Sequence, residues 1–66
     1  MNILLNNKPE TIFDGSTIKK LLKQKNIQNK YFAVEINQKI IPKSDHGTYL
    51  IKDGDKIEII TAIGGG

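Results

Sequence analysis

The sequence predicts an α+β fold in which a mixed β-sheet curls around a single helix. Isoleucine, which favours strands, occurs twelve times among the 66 residues. Apolar residues recur at helical spacing in one segment, which has a pair of strand-like segments on each side and a further strand after a long irregular connection. A chain of this length buries about 60% of the surface that it exposes when unfolded, which suits one domain.

The segments "NILLN" and "PETIF" near the N-terminus predict a β-hairpin. Ile3 and Leu5 share one face of the first strand, and Ile12 belongs to the second. Asn6 and Asn7 lie between the strands, and asparagine tolerates the positive φ that a tight hairpin turn requires. We therefore expect the turn at these two residues.

The segment "DGSTIKKLLKQK" predicts the helix. Its apolar residues recur at positions i, i+3 and i+4: Ile18, Leu21 and Leu22. Ser16 or Thr17 is expected to be the N-cap, and the helix is expected to end near Lys25. Asn26 is expected to adopt the left-handed conformation that often ends a helix, and Ile27 is expected to fold back onto the helix.

The segments "YFAVEIN" and "KIIP" predict a second hairpin, with Asn37 and Gln38 in its turn and Pro42 at its end. The segment "KSDHGTYLIKDGD" follows and predicts an irregular connection that finishes in a turn at "KDGD". We expect three of its residues to hold this connection against the core: Tyr49, Leu50 and Ile51.

The segment "KIEIITAI" predicts the last strand. Alternation places four side chains on its inner face: Ile57, Ile59, Thr61 and Ile63. Ile60 and Ala62 then point the other way, although an ordinary edge strand does not need apolar residues there. The sequence leaves two interpretations open, in which these residues pack beneath the irregular connection or form a docking surface for a partner.

The composition excludes several classes of protein. Cysteine is absent, which excludes disulfides, thiolate metal sites and a cysteine nucleophile. The apolar run in "MNILLNNKPE" is too short for a signal peptide, and no run approaches the roughly 18 residues of a membrane span. We therefore expect a soluble, cytoplasmic protein that has no membrane partner.

The net charge of +3 arises from ten lysines, with no arginine in the chain. Phosphate and base recognition favours arginine, and binding of single strands needs stacking rings beside the charges. We therefore predict no nucleic-acid partner. The lysines of the helical segment are expected to form a solvated face: Lys19, Lys20, Lys23 and Lys25.

Catalytic groups are scarce. His46 is the only histidine, and it is expected to be a polar turn residue rather than to form a triad with Ser16 or Ser44. His46 beside Asp45 does not supply enough ligands for a metal. The sequence thus predicts no metal site and no catalytic role for the chain itself.

The chain ends in three glycines, and this feature decides the predicted function. A phosphate-binding loop is excluded, because it needs a helix after the glycines. The simplest interpretation is a frayed end. Alternatively, glycine without a Cβ passes through a channel too narrow for any side chain and presents the carboxylate of Gly66 to a reacting group. We therefore divide the chain into a domain of residues 1–63 and a flexible tail of residues 64–66.

The five residues from Ala62 onward would extend roughly 17 Å beyond the sheet at about 3.3–3.6 Å each. That reach suffices for a buried site on a partner, while Ile60 and Ala62 dock outside it. A carboxylate does not transfer its acyl group until its oxygen becomes a leaving group. Such a protein needs ATP and a separate activating enzyme.

Four motifs together resemble the thiamine-biosynthesis sulfur carrier (ThiS) family, which has the ubiquitin-like β-grasp fold. They are "DGSTIKKLL", "IPKSDH", "DGDKIEI" and the terminal Gly-Gly, in family order and spacing. The resemblance covers essentially the whole chain. Asn7 and Gln38 depart from it, since family members often have glycine in these hairpin turns, and this puts the turn type in doubt.

The resemblance implies that an E1-like enzyme adenylates the Gly66 carboxylate using ATP. A cysteine-desulfurase system then supplies sulfur for a thiocarboxylate, which delivers it to thiazole synthase. Gly65 would be the second required glycine and Gly64 part of the tether. The chain would be a co-substrate rather than an enzyme, with no cofactor bound. Three alternatives remain: a molybdopterin-synthase-type sulfur carrier, a carrier for another sulfur-transfer pathway, and a β-grasp RNA-binding or regulatory module without tail chemistry.

Overall fold

A computed structural model describes residues 1–27 and 32–61 of the chain. The order of strands and helix follows the sequence-based prediction: one hairpin before the helix, one hairpin after it, and a last strand after an irregular connection. A short 3₁₀ turn, Lys43–Asp45, lies within that connection. The elements are β1 (Asn2–Leu5), β2 (Lys8–Thr11), α1 (Ile18–Gln24), β3 (Phe32–Ile36), β4 (Lys39–Ile41) and β5 (Lys56–Thr61). Tyr31 and Ile63, which were predicted in strands, lie outside the described residues.

The described strands form one mixed sheet in the order β2-β1-β5-β3-β4. β5 lies at its centre, parallel to β1 and antiparallel to β3. The two hairpins, β1–β2 and β3–β4, are antiparallel. They flank β5, so that β2 and β4 are the edge strands of the sheet. The predicted mixed sheet with one helix is confirmed, and the last strand is central rather than an edge.

The core lies between α1 and the sheet. Two of its most completely buried side chains, Ile18 and Leu21, come from the helix, and two, Val34 and Ile57, come from β3 and β5. Burial of one such side chain contributes about 1.5–3 kcal/mol to stability. The helix, β3 and β5 therefore contribute directly to the stability of the domain.

Thr17 is the N-cap of α1, one of the two residues that the sequence offered. Its Oγ1 accepts a hydrogen bond from the backbone N–H of Lys20 at 3.2 Å. Ser16 is buried instead, and its hydroxyl donates to the carbonyl of Phe13 at 2.7 Å. The two neighbouring hydroxyls thus have separate roles. The hydroxyl of Thr17 accepts from a backbone N–H of the first helical turn, and that of Ser16 closes the preceding turn.

The C-terminus of α1 ends as the sequence predicts. Asn26 is left-handed with φ 57°, and its N–H donates to the carbonyl of Lys23 at 3.1 Å. The N–H of Ile27 donates to the carbonyl of Leu22 at 2.9 Å. This pair of bonds is the Schellman motif, and it returns the partly buried Ile27 to the core.

Both hairpin turns have two consecutive residues with positive φ. The values are 50° and 67° at Asn6 and Asn7, and 52° and 71° at Asn37 and Gln38. Paired positive φ values are the signature of a type I′ turn, the type that matches the twist of the flanking strands. The absence of glycine at Asn7 and Gln38 therefore leaves the turn type unchanged.

The irregular connection is held by two of the three residues expected. Ile51 is buried and Tyr49 packs against the core, but Leu50 is 57% exposed, so the prediction for Leu50 is wrong. Leu50 forms an isolated antiparallel bridge with Thr17. Because successive side chains alternate in such an extended segment, Tyr49 and Ile51 face the core and Leu50 faces away.

Candidate functional site

The predicted site residues divide into one that the structure describes and four that it does not. Ile60 lies in β5. Ala62 and the three glycines, Gly64 to Gly66, lie outside the described residues. The describable part of the site is therefore β5, from which the chain continues to these residues, and the sheet face that surrounds Ile60.

The backbone of β5 is anchored from both sides and from the core. Ile57 is fully buried and Ile59 is 9% exposed, and both face the helix. β3 pairs with β5 from Ile57 to Thr61, and β1 pairs with β5 at Lys56 and Ile57. The segment that leads to the tail is therefore one of the best-held parts of the fold.

Asn6 extends the hold on β5 beyond the end of β1. Its backbone N–H donates to the carbonyl of Ile57 at 2.9 Å. Its side-chain Oδ1 accepts from the N–H of Ile59 at 2.8 Å. A turn residue thus takes the place of a strand residue, and hydrogen bonds on the β1 side of β5 continue from Ile57 to Ile59.

Asn37 performs a similar task at the start of β5, on the other side. Its N–H donates to the carbonyl of Lys56 at 2.8 Å, and its Oδ1 accepts from the N–H of Lys56 at 3.0 Å. Its Nδ2 donates to Oδ1 of the buried Asp55 at 3.1 Å. The other oxygen of Asp55 accepts from the N–H of Lys52 at 2.8 Å.

Sequence reasoning identified Asn6, Asn37 and Asp55 as turn residues and missed these side-chain bonds to β5. A signal was present in the choice of asparagine, which supplies a side-chain amide as well as tolerance of positive φ. The partners lie 53 and 19 residues away for Asn6 and Asn37, so local sequence could not identify them.

The face of the sheet opposite the helix, called the outer face below, is the second part of the site. Ile60 is 48% exposed there, opposite Ala33 of β3. This exposure excludes the interpretation in which Ile60 packs beneath the irregular connection. The outer face comprises seven residues from β1, β3, β4 and β5: Leu4, Ala33, Glu35, Ile40, Lys56, Glu58 and Ile60.

The outer face combines apolar and charged side chains. Ile40 is 69% exposed and Leu4 is 39% exposed, in addition to Ile60. Glu35 and Glu58 lie directly opposite each other on β3 and β5. A surface that mixes exposed apolar residues with a few charges is typical of a protein interface.

His46 lies in a turn beside Gly47, as the sequence predicts, but it is also buried. The residue is 7% exposed, and its Nε2 lies 3.1 Å from the carbonyl oxygen of Ile41. Its own carbonyl accepts from the N–H of Lys19 at 2.8 Å, which joins the connection to the helix. The polar residues around it in the sequence concealed this long-range packing.

No other chemistry is evident in residues 1–27 and 32–61. This part of the chain has no group of three His, Cys, Asp or Glu residues that could hold a metal ion. None of its helices is long and apolar enough to cross a membrane. A shallow cavity of about 530 Å³ lies on the helix side, away from the outer face, and is lined by Lys19, Leu22, Lys23, Asn26, Ile27 and His46.

One helix on a mixed five-stranded sheet, with the last strand at the centre, defines the described residues as a small ubiquitin-like β-grasp domain. A sequence profile of the ThiS family matches residues 3–66, and the chain belongs to that family. It is 33% identical to the Sulfur carrier protein ThiS of Escherichia coli over 66 residues, which cover all of this chain and all of that protein.

A solved structure confirms the fold. The crystal structure of a thiamine biosynthesis protein (ThiS) from Geobacter metallireducens superposes with a TM-score of 0.88 at 30% identity, over the whole of both chains. The family resemblance and the β-grasp fold predicted from the sequence are thus confirmed. The named E. coli relative is a sulfur carrier protein, which serves as a co-substrate rather than as a catalyst.

A longer relative has a different name. The Thiazole synthase of Paramagnetospirillum magneticum is 35% identical over 66 residues, and the chain spans 20% of that protein's length. A second Thiazole synthase, from Magnetococcus marinus, matches in the same way at 32% identity. In these proteins a segment similar to this chain is part of a polypeptide about five times as long.

Proposed function

We propose that this chain carries sulfur for the synthesis of the thiazole of thiamine, as a thiocarboxylate at the carboxyl end of Gly66. The single observation that supports this most is the family match, which extends through Gly66, with a full-length relative that is a sulfur carrier protein. The family match favours this carrier over the molybdopterin-synthase type and over a binding module without tail chemistry.

The proposed chemistry takes place on the terminal carboxylate. In the active site of an E1-like enzyme, a carboxylate oxygen of Gly66 attacks the α-phosphorus of ATP, and pyrophosphate leaves. The mixed anhydride has a good leaving group, so the terminal sulfur of a persulfide from a cysteine-desulfurase system can attack the carbonyl carbon and displace AMP. A thiol then attacks the inner sulfur of the resulting acyl disulfide, which releases the thiocarboxylate and leaves a new disulfide. ATP is thus a substrate of the activating enzyme, and the carrier itself holds no cofactor.

The fold supplies a fixed base for this chemistry. β5 is held by β1, β3, Asn6 and Asn37, so its position relative to the domain is well defined. We propose that residues 64–66 form a tether on the body of residues 1–63. Gly64 and Gly65 lack a Cβ, which suits passage through a narrow channel.

The exposed Ile60 supports a docking role for the outer face. A side chain of this size that is 48% exposed at the centre of a sheet face gains free energy when a partner covers it. We propose that Ile60, together with Ala62, contacts the activating enzyme while the tail occupies the active site. The domain then sets the depth to which the tail can enter.

Thiazole synthase is proposed as the acceptor of the sulfur. Two relatives with that name contain a segment similar to this chain, and such covalent linkage is expected for proteins that act together. The E1-like enzyme and the cysteine desulfurase are proposed on chemical grounds, because a carboxylate needs activation and a source of sulfur. Because ATP drives the reaction, we place it in the cytoplasm.

Intact-mass spectrometry tests the proposed function. The chain would be incubated with ATP, the adenylating enzyme of the same organism and a sulfur donor, and then fragmented to locate any change. We expect a gain of about 16 Da on Gly66, oxygen replaced by sulfur. An unchanged mass, with an enzyme shown to load another carrier, would contradict the carrier function. The chain without Gly66 is the control and should stay unmodified.

A further inference from the structure

Glu35 and Glu58 are directly opposite each other on β3 and β5, on the outer face. Both are half-buried. Directly opposed side chains in an antiparallel pair have Cβ atoms roughly 4.5–5.5 Å apart, and like charges in that arrangement are destabilising. The isolated domain therefore holds two carboxylates in a position that works against its own stability.

Neither glutamate has a cationic partner among the residues that the structure describes. The ion pairs there join the N-terminal amine to Asp14 at 3.0 Å and Lys25 to Glu10 at 2.6 Å. Lys56 shares the outer face and lies two residues before Glu58, but it forms no ion pair with it. The two carboxylates thus leave room for a cation from outside the domain.

Apolar side chains border the glutamate pair. Ile60 follows Glu58 by two residues on β5, and Ile40 of β4 lies directly opposite Glu35. Both isoleucines are strongly exposed in the isolated domain. A partner that covers them would also exclude water from the carboxylates, and charge interactions strengthen in such surroundings.

The charge of the domain is divided between its two sides. The exposed side of α1 has three lysines, Lys19, Lys20 and Lys23, and the chain as a whole has a net charge of +3. The glutamate pair gives the outer face the opposite sign. An enzyme that binds ATP gathers cationic groups around the phosphates, so its surroundings favour the anionic face and disfavour the helix.

We propose that Glu35 and Glu58 together bind one cationic side chain of the adenylating enzyme, with Ile40 and Ile60 as the apolar border of the contact. Arginine fits best, because its planar guanidinium can donate to two carboxylates at once. The contact orients the domain with its outer face toward the enzyme. The identity of the partner rests on the proposed function, whereas the predicted charge of its surface does not.

Binding of the unloaded carrier to the adenylating enzyme of the same organism, measured by calorimetry without ATP, tests this inference. Glu35→Gln and Glu58→Gln are each expected to raise Kd by about tenfold, the size of one lost charge-assisted hydrogen bond. Their melting temperatures should equal or exceed that of the wild type, because the repulsion is removed. The Kd of the wild type should rise with salt more steeply than that of the double variant.

Glu10→Gln is the matched control. It removes the same charge from a residue that already pairs with Lys25 and lies off the outer face. It should therefore leave Kd unchanged. If Glu35→Gln and Glu58→Gln bind as tightly as Glu10→Gln, or if they lose melting temperature and keep their affinity, the pair has no docking role and the inference is wrong.

Loading with sulfur, measured separately by mass, distinguishes this inference from the proposed function. A wild-type chain that is loaded, with variants of unchanged Kd, contradicts only the role of the glutamates. A wild-type chain that binds with the predicted charge dependence but gains no sulfur contradicts only the carrier function. A wild-type chain that does not bind the enzyme overturns both.

Discussion

The side-chain oxygen Oδ1 of Asn6 accepts a hydrogen bond from the backbone N–H of Ile59 at 2.8 Å. The two residues are 53 positions apart, and the bond joins the first hairpin turn to the strand that leads to the tail. Asn6 also has a positive φ of 50°. One residue therefore forms the turn and fixes the far part of β5.

This relationship predicts that Asn6→Gly destabilises the domain although glycine suits the turn. The N–H of Ile59 loses its acceptor in a half-buried position, which costs about 1–2 kcal/mol. Asn7→Gly is the matched control, because Asn7 occupies the same turn at φ 67°, where glycine relieves strain. Chemical denaturation should show a loss for the first variant only. Equal stabilities would contradict the role of the side chain.

Gln38→Gly is expected to stabilise the domain. Gln38 has φ 71° in the second type I′ turn, and a left-handed residue with a Cβ costs roughly 1–2 kcal/mol. Part of that gain is offset by the greater freedom of glycine in the unfolded chain, so we expect about 0.5–1 kcal/mol in urea denaturation. Gln38→Ala keeps the Cβ and should show no gain. An equal gain for both would exclude strain as the cause.

Ile60→Ser should weaken binding to the adenylating enzyme while changing stability little. Ile60 is 48% exposed, and a partner would cover this exposed surface. Losing that burial should cost roughly 1 kcal/mol of binding free energy, or about fivefold in Kd. Leu50→Ser is the control, since Leu50 is also exposed but lies off the outer face. A large fall in melting temperature with unchanged Kd would assign Ile60 to the core instead.

Gly65→Ala and deletion of Gly66 are expected to abolish sulfur loading without unfolding the domain. The core of the described residues ends at Ile59. A glycine has no side chain to bury, so we expect neither change to lower the stability of the domain. Circular dichroism and thermal denaturation should match the wild type, and intact mass should show no thiocarboxylate. A truncated chain that still acquired sulfur would place the reactive group elsewhere and contradict the proposed chemistry.

Local sequence was sufficient for most of the fold. The helix, its caps at Thr17 and Asn26 and the two hairpin turns follow from periodicity and from side chains that tolerate a given φ, which depend only on near neighbours. The exposure of Leu50 and the burial of His46 were missed. The exposure of Leu50 depends on a bridge to Thr17, 33 residues away by the numbering. The burial of His46 accompanies the hydrogen bond that its carbonyl accepts from Lys19 of the helix.

The candidate site could be predicted only in part. Alternation along β5 correctly placed Ile60 on the face opposite the core. The opposition of Glu35 and Glu58 depends on strand order and register, which the sequence of either strand does not specify. The same holds for the bond between Asn6 and Ile59, so the features that position the site are those set by long-range pairing.

The central position of β5 also has a consequence for protein synthesis. Residues 56–61 follow the other four strands along the chain, yet they form the strand between β1 and β3. Until they leave the ribosome, the two hairpins have unpaired edges facing each other, which are sites of aggregation. The nascent chain therefore cannot close its sheet before β5 appears, and a chain interrupted at residue 55 would yield no folded domain to compete for the activating enzyme.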